Sequence, residues 1–285
     1  MVNYSLYRFG QFLALVLPIK ISYGLAVIFS DLHYFFVWRD RQATKENLKA
    51  VFPEKSDAEI RRIRKALFRN FAKYLVDFFR FSEIDRDYVA RQVRIENNHY
   101  IDEGLSRGRG VIVLTAHLGN WELGGVAMAI IGYPFAAVAL PHKDKRVNDF
   151  FNFQRESRGV KVIPVGNAVR SCLNLLRENE VLALAGDRTF NEKGVEVEFF
   201  GRPTLLPAGP AAIALKTEAT IVPGFVLRNS DDTFTVRFEK PIEFQASGNR
   251  EKDIVGLVNS YKTIIEDYIR RYPTQWSMFR RFWIR

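Results

Sequence analysis

"VIVLTAHLGNWELGG", residues Val111 to Gly125, decides how this chain is read. Val111 to Thr115 is an unbroken apolar and β-branched run, the text of a strand buried on both faces. Gly119 permits a tight turn, Asn120 is an N-cap, and a helix is expected from Trp121 to Ile130. A strand, a turn and a helix in that order form the unit of an open α/β sheet, in which ligands gather beyond the carboxyl ends of the strands. His117 lies on that turn and Glu122 in the first helical turn. Residues five apart in one continuous helix point about 140° away from each other. The two side chains therefore meet only because the histidine precedes the helix.

Outward from this stretch the same alternation continues. Strands are expected at Ala136 to Leu140, Lys161 to Pro164, Val181 to Ala185, Ile221 to Arg228 and Thr233 to Phe238. Helices are expected at Val147 to Ser157, Ala168 to Glu178, Pro210 to Thr217 and Ile254 to Tyr272. The pattern implies an α/β fold with a mixed, mostly parallel central sheet flanked by helices. Upstream, "RQATKENLKAVFPEKSDAEIRRIRKALFRNFAKYLVDFF" reads as two amphipathic helices broken at Pro53, the second capped near Ser56 or Asp57. Ile60, Ile63, Leu67, Phe71, Leu75 and Phe78 form its apolar stripe. The α/β domain is placed at 37–285, with a helical part at 37–100 and the sheet core at 101–285.

The first 36 residues differ in character. From Phe9 to Ser30 the only charge is Lys20, and Pro18 stands two residues before it. A spanning helix needs about 20 predominantly apolar residues, and this segment is interrupted at its middle. A bent helix or helical pair lying in the membrane interface, with Lys20 snorkelling, fits better. Helices packed on a soluble core are the alternative. Aromatic and basic residues recur in "QWSMFRRFWIR", Gln275 to Arg285, so both ends favour a membrane surface. The 42 Lys and Arg against 32 Asp and Glu leave +10, which suits an anionic membrane or an acidic carrier protein. A dense basic stripe with a recognisable nucleic-acid module is missing, so no nucleic acid is expected. The one cysteine, Cys172, excludes an internal disulfide and favours a reducing compartment.

The chemistry that fits His117 and Glu122 is general-base catalysis. A neutral imidazole takes a proton from a hydroxyl while the carboxylate fixes its tautomer. A structural histidine bonded to backbone is the plain alternative. Neither Thr115 nor Cys172 stands as a nucleophile beside the pair, so the substrate's own hydroxyl attacks. Arg155 and Arg158 are three apart on a helix ending at Gly159 and are placed to meet phosphate together; a solvated charged face is the bland reading. Asp187 stands at the carboxyl end of a buried strand, before a long Gly-rich loop. Asn120 beside the pair and Lys143 after the strand ending at Leu140 complete the candidate substrate contacts. His33, His99 and His142 form no metal-ligand spacing with Glu122 or Asp187, and "GLSRGRG" lacks the lysine of a phosphate loop. No metal and no cofactor are expected.

"HLGNWE" resembles the His-four-residues-acid motif of the glycerolipid acyltransferase superfamily, and "TAHLGNWELGG" is similar to its bacterial lipid A biosynthesis (late, Kdo-dependent) acyltransferase branch. "NLKAVFP", "FFGRPTLLPAGPAAIALKTEATIVPGFVLR" and "QWSMFRRFW" fall where that family has similar text, so the resemblance covers nearly the whole chain. It implies an acyl chain passing from an acyl carrier protein or CoA thioester to a hydroxyl of a membrane glycolipid, at the cytoplasmic face of the inner membrane. By resemblance His117 is the base, Glu122 its orienting acid and Arg155 the substrate-binding arginine of "FNFQRESRGVKVIP". Where the family has Pro-Asp-Gln or similar, this chain has Gly186-Asp187-Arg188. That departure opens the acceptor to an aminolipid or lysophospholipid, and an acyl thioesterase is a rival use of the same pair.

Overall fold

The structure is a computed structural model that describes residues 2–189 and 194–283. Three helices open the chain, α1 (Val2–Val16), α2 (Ile19–Phe36) and α3 (Trp38–Val51), followed by the long α4 (Asp57–Phe79). Ser56 starts α4 with a capping box: its hydroxyl accepts from the Glu59 backbone N–H, and the Glu59 carboxylate accepts from the Ser56 N–H at 2.9 Å. There follow α5 (Arg86–Gln92), β1 (Val93–Glu96), α6 (His99–Ser106), β2 (Val111–Thr115), α7 (Trp121–Ile131), β3 (Phe135–Ala139), α8 (Lys145–Glu156) and β4 (Lys161–Pro164). The chain continues through α9 (Ala168–Arg177), β5 (Val181–Ala185), β6 (Val195–Phe199), β7 (Arg202–Leu206), α10 (Gly209–Thr217), β8 (Thr220–Arg228), β9 (Phe234–Phe238) and α11 (Arg250–Arg271).

Seven strands form one sheet in the order β1-β9-β8-β2-β5-β3-β4, parallel throughout except for the antiparallel β8–β9 pair. The α/β architecture is as expected. Helices cover both faces of the central strands, which is why β2, β5 and β8 carry no polar alternation. On β2, Ile112 and Leu114 pack with Leu176, Tyr261 and Ile265 on one face, while Val111 and Val113 pack with Leu123 and Val126 on the other. Two elements differ from the reading. β1 adds an edge strand in what was read as helical text, and part of the loop after Asp187 is the antiparallel hairpin β6–β7. Residues 190–193 of that stretch lie outside the described residues.

Pro18 divides the amino-terminal segment, as its missing N–H requires: α1 stops at Val16 and α2 begins directly after the proline. No single described helix is long and apolar enough to cross a membrane, although α2 and α3, bent by 95°, pass that test together. Both α1 and α2 pack against α4 and still leave a row of large apolar side chains in the open, including Phe9, Phe12, Ile28, Leu32, Phe35 and Phe36. The other end of the chain behaves differently from the expectation. Trp276 and Met278 are buried in the core, Phe279 packs on Phe68 and Phe71, and Phe282 on Trp276. Asn47 holds this tail by donating to the Met278 and Arg280 carbonyls at 3.1 and 2.8 Å. These aromatics serve packing, not an outward apolar surface.

Candidate active site

In the sheet, β2 and β5 are direct parallel neighbours with Thr115 opposite Ala185. Two residues further along each chain, His117 and Asp187 stand opposite each other. The Asp187 Oδ1 lies 2.8 Å from His117 Nδ1, and Oδ2 accepts from the His117 backbone N–H at 3.0 Å and from Trp276 Nε1 at 3.3 Å. Arg188 Nη2 lies 3.1 Å from His117 Nε2. A guanidinium only donates and a carboxylate only accepts. The two neighbours therefore fix one neutral tautomer, with the proton on Nδ1 and the lone pair on Nε2. Burial pushes the Asp187 carboxyl up, but its attraction to the His117 ring and the hydrogen bonds His117 donates, together with the Arg188 guanidinium, outweigh it and hold the group below its ordinary range. Burial pushes the Arg188 guanidinium down from its usual value.

The turn that carries His117 is clamped from several sides. Gly119 has φ +67°, and a Cβ there would lie 1.7 Å from the Val226 carbonyl oxygen, so only glycine fits. The Gly119 and Asn120 N–H groups donate to the carbonyls of Gln275 and Val226, and the Ser277 N–H donates to the His117 carbonyl. Asn120 caps α7 by accepting from the Leu123 N–H at 3.1 Å, as its position predicted. Its Nδ2 donates to Asp77 at 2.8 Å. Buried Asp77 also accepts from the Tyr23 hydroxyl and the Arg228 guanidinium. Burial raises the Asp77 carboxyl despite the opposing pull of Arg228. The sequence signal for this group is an aspartate inside the otherwise apolar "YLVDFF".

Other expected contacts are rearranged. Both oxygens of Glu122 accept from Arg155, Nε to Oε2 at 2.8 Å and Nη2 to Oε1 at 2.6 Å. The pair bridges α7 and α8, and the carboxylate hydrogen-bonded to the imidazole is that of Asp187, not of Glu122. The physical reason is reach: Asn120 starts α7 so tightly that Glu122 projects toward α8, while β5 brings Asp187 alongside. Arg155 is thereby occupied by a carboxylate of the chain itself. Helix α8 ends at Glu156, so Arg158 falls beyond it and donates to the Ser82 carbonyl, and the two arginines form no shared phosphate fork. Asn120 is buried, with its side chain spent on the α7 cap and on Asp77. Lys143 is exposed beyond β3, whereas its neighbour His142 lines the cavity described next. No cluster of His, Cys, Asp or Glu suited to a metal ion occurs among the described residues.

His117, Glu122, Arg155 and Arg188 stand on the wall of a cavity of about 650 Å³. Away from these polar groups its lining is apolar and reaches both faces of the sheet: Gly125, Phe135 and Val160 on one side, Ala168, Cys172 and Ile213 on the other. The Trp121 ring meets the His117 ring edge-on at 5.1 Å. A neutral imidazole lone pair at the polar end of an apolar cavity can chemically accept a proton from a hydroxyl.

The sequence model of bacterial lipid A biosynthesis acyltransferases matches residues 1–285. The chain belongs to this family. A phosphatidylinositol mannoside acyltransferase of Mycolicibacterium smegmatis is 28% identical over 224 residues, covering 77% of this chain and 72% of that protein. A lipid A biosynthesis acyltransferase of Haemophilus influenzae is 20% identical over 239 residues, covering 84% and 74%. A lipid A biosynthesis palmitoleoyltransferase of Escherichia coli K12 is 24% identical over 248 residues, covering 86% and 79%. This acyltransferase is thus similar to enzymes named for two different glycolipid acceptors.

Proposed function

We propose that this acyltransferase moves a fatty acyl chain from an acyl carrier protein or CoA thioester to a hydroxyl of a membrane glycolipid, a lipid A precursor or a mannosylated phosphoinositide. The observation that carries the reading is the Asp187–His117 pair, with its Nε2 lone pair, at the polar end of the 650 Å³ cavity. The hydroxyl proton goes to Nε2 as the oxygen attacks the thioester carbonyl. The tetrahedral oxyanion then collapses, the C–S bond breaks, and the imidazolium returns its proton to the leaving thiolate. Asp187 stabilises the imidazolium. Arg188 yields the lone pair to the incoming hydroxyl and turns its charge toward the oxyanion. The Glu122–Arg155 pair braces α7 against α8 at the mouth. The exposed apolar row on α1 and α2 seats the enzyme in the membrane interface at the cytoplasmic face, with exposed Lys20 at the headgroups.

The test is turnover of purified protein with acyl carrier protein or CoA thioesters and each glycolipid, products read by mass spectrometry. Acylated glycolipid is expected, with a rate lowered about 10²-fold or more in folded His117→Ala. Free fatty acid formed at the same rate with and without acceptor assigns a thioesterase instead.

A further inference from the structure

A second cavity, of about 420 Å³, lies among α1, α2 and α4, apart from the catalytic one. Its walls are mostly apolar, with Leu13, Leu25, Ala26, Phe71, Ala72 and Leu75 among them. The volume falls within the usual range of ligand sites, which is roughly 300–1,000 Å³. Protein interiors leave few voids larger than a water molecule, and an apolar groove of this size is unfavourable when water fills it. Phe29 both lines the cavity and is 60% exposed, so the cavity opens onto the apolar row of α2. On its wall Phe71 stacks on Tyr74 at 5.4 Å, Tyr74 stacks on Trp121 at 4.8 Å, and Trp121 meets His117 at 5.1 Å. Three ring contacts therefore separate the cavity wall from the imidazole.

A transfer between two lipid substrates must keep two sets of hydrocarbon out of water. The catalytic cavity accounts for the chain of the donor, while the acceptor carries chains of its own that stay buried when its hydroxyl reaches Nε2. We propose that the α1/α2/α4 cavity binds one hydrocarbon chain of the glycolipid acceptor, while the headgroup of the same lipid brings its hydroxyl to His117. This rests on the proposed acyltransfer to a glycolipid and adds where the acceptor is held. It gives the amino-terminal helices a role in substrate binding beyond seating the enzyme on lipid.

The first experiment uses the wild-type chain with a phosphatidylinositol mannoside carrying a diazirine on one acyl chain, in detergent micelles, with cross-linked peptides read by mass spectrometry. Labels on Leu25, Ala26, Ala72 or Leu75 are expected. Labels confined to outward residues such as Ile28, Leu32 and Phe35 place the chain in the surrounding lipid and overturn the proposal, as do labels confined to the catalytic cavity. The second experiment fills the cavity with Ala26→Trp or Ala72→Trp, and circular dichroism selects the folded variant. The preference for a chain-bearing acceptor over its deacylated headgroup, read as the ratio of kcat/KM values, is expected to fall about tenfold or more. A folded variant that keeps the wild-type ratio overturns the proposal. Cross-linking needs no turnover, so its failure is distinct from a failure of wild-type protein to acylate any glycolipid.

Discussion

Asp187→Asn replaces one oxygen of a buried carboxylate by an amide NH₂ at a site where every neighbour donates. Oδ1 serves His117 Nδ1, and Oδ2 serves the His117 N–H and the Trp276 indole. An asparagine keeps one acceptor for these three donors. If its NH₂ faces the ring, Nδ1 must become the acceptor, the proton moves to Nε2, and the base has no lone pair to offer. If its NH₂ faces the backbone, two donors oppose it, and each lost charge-assisted bond costs about 1.5–3 kcal/mol. The first arrangement confines the damage to chemistry. By analogy with carboxylate-to-amide changes in hydrolase triads, kcat is expected to fall by about 10³- to 10⁴-fold with a smaller change in KM. The assay is steady-state release of thiol from the donor in the presence of glycolipid, with thermal unfolding followed in parallel. The pH dependence of stability is a second readout. The Asp187 carboxyl is held below its ordinary range when folded, so its contribution is complete above the unfolded value near 3.9 and lost as pH falls through the lower folded value. The Tm gap between wild type and Asp187→Asn is expected to stay flat from about pH 8 to pH 5 and to close only below about pH 4. A kcat within tenfold of wild type in a folded Asp187→Asn protein refutes the tautomer argument.

Three other outcomes follow from the geometry. Arg155→Lys keeps the charge but loses the two-point grip on Glu122. Its defect is expected in both donor and acceptor kinetics, since the brace shapes the shared mouth; a loss confined to acceptor KM assigns Arg155 to headgroup binding. Gly119→Ala places a methyl 1.7 Å from the Val226 oxygen. It is expected to lower stability by about 1–3 kcal/mol or more and to displace the His117 turn, and an unchanged Tm contradicts that geometry. The Cys172 thiol is fully buried, and burial pushes it up to about 11. Maleimide labelling of native protein at pH 8 is expected to be slow and slower still with a long-chain donor bound, and rapid labelling shows that this wall of the cavity opens.

The sheet was legible because its central strands are buried on both faces and must be continuously apolar: Val111–Thr115 and Val181–Ala185 begin and end where the sequence places them, as does the edge strand Lys161–Pro164. The strand β1 was not, because four residues of "VRIE" at a sheet edge carry alternating charge and no apolar run. Hairpin β6–β7 escaped for a similar reason, since Glu196 and Glu198 alternate with buried Val197 and Phe199 beside a Gly-rich turn. In the candidate site, the turn, its glycine and its cap were written locally, and His117 with them. The acid that meets the imidazole was not. Asp187 is seventy residues from His117, and only the strand order, with β5 inserted next to β2, makes them neighbours. Glu122 looked nearer because sequence spacing says nothing about Arg155 waiting on α8.

Asp77 ties the amino-terminal helices to the turn that carries His117. Its carboxylate joins Tyr23 of α2, Arg228 of β8 and Asn120 at the catalytic turn. Further out, Asp31 of α2 takes both prongs of Arg69, and Tyr34 accepts from Arg64. A segment tied in this way is no detachable tag. Removing residues 1–36 would uncover Asp77 and Arg228, take Asp31 from Arg69 and Tyr34 from Arg64, and loosen the asparagine on which the histidine's turn is hung. The part played by the exposed apolar row is better probed by replacing Phe9, Phe12, Ile28, Leu32 and Phe35 with polar residues in place, keeping the helices as the outer scaffold of the His117 turn.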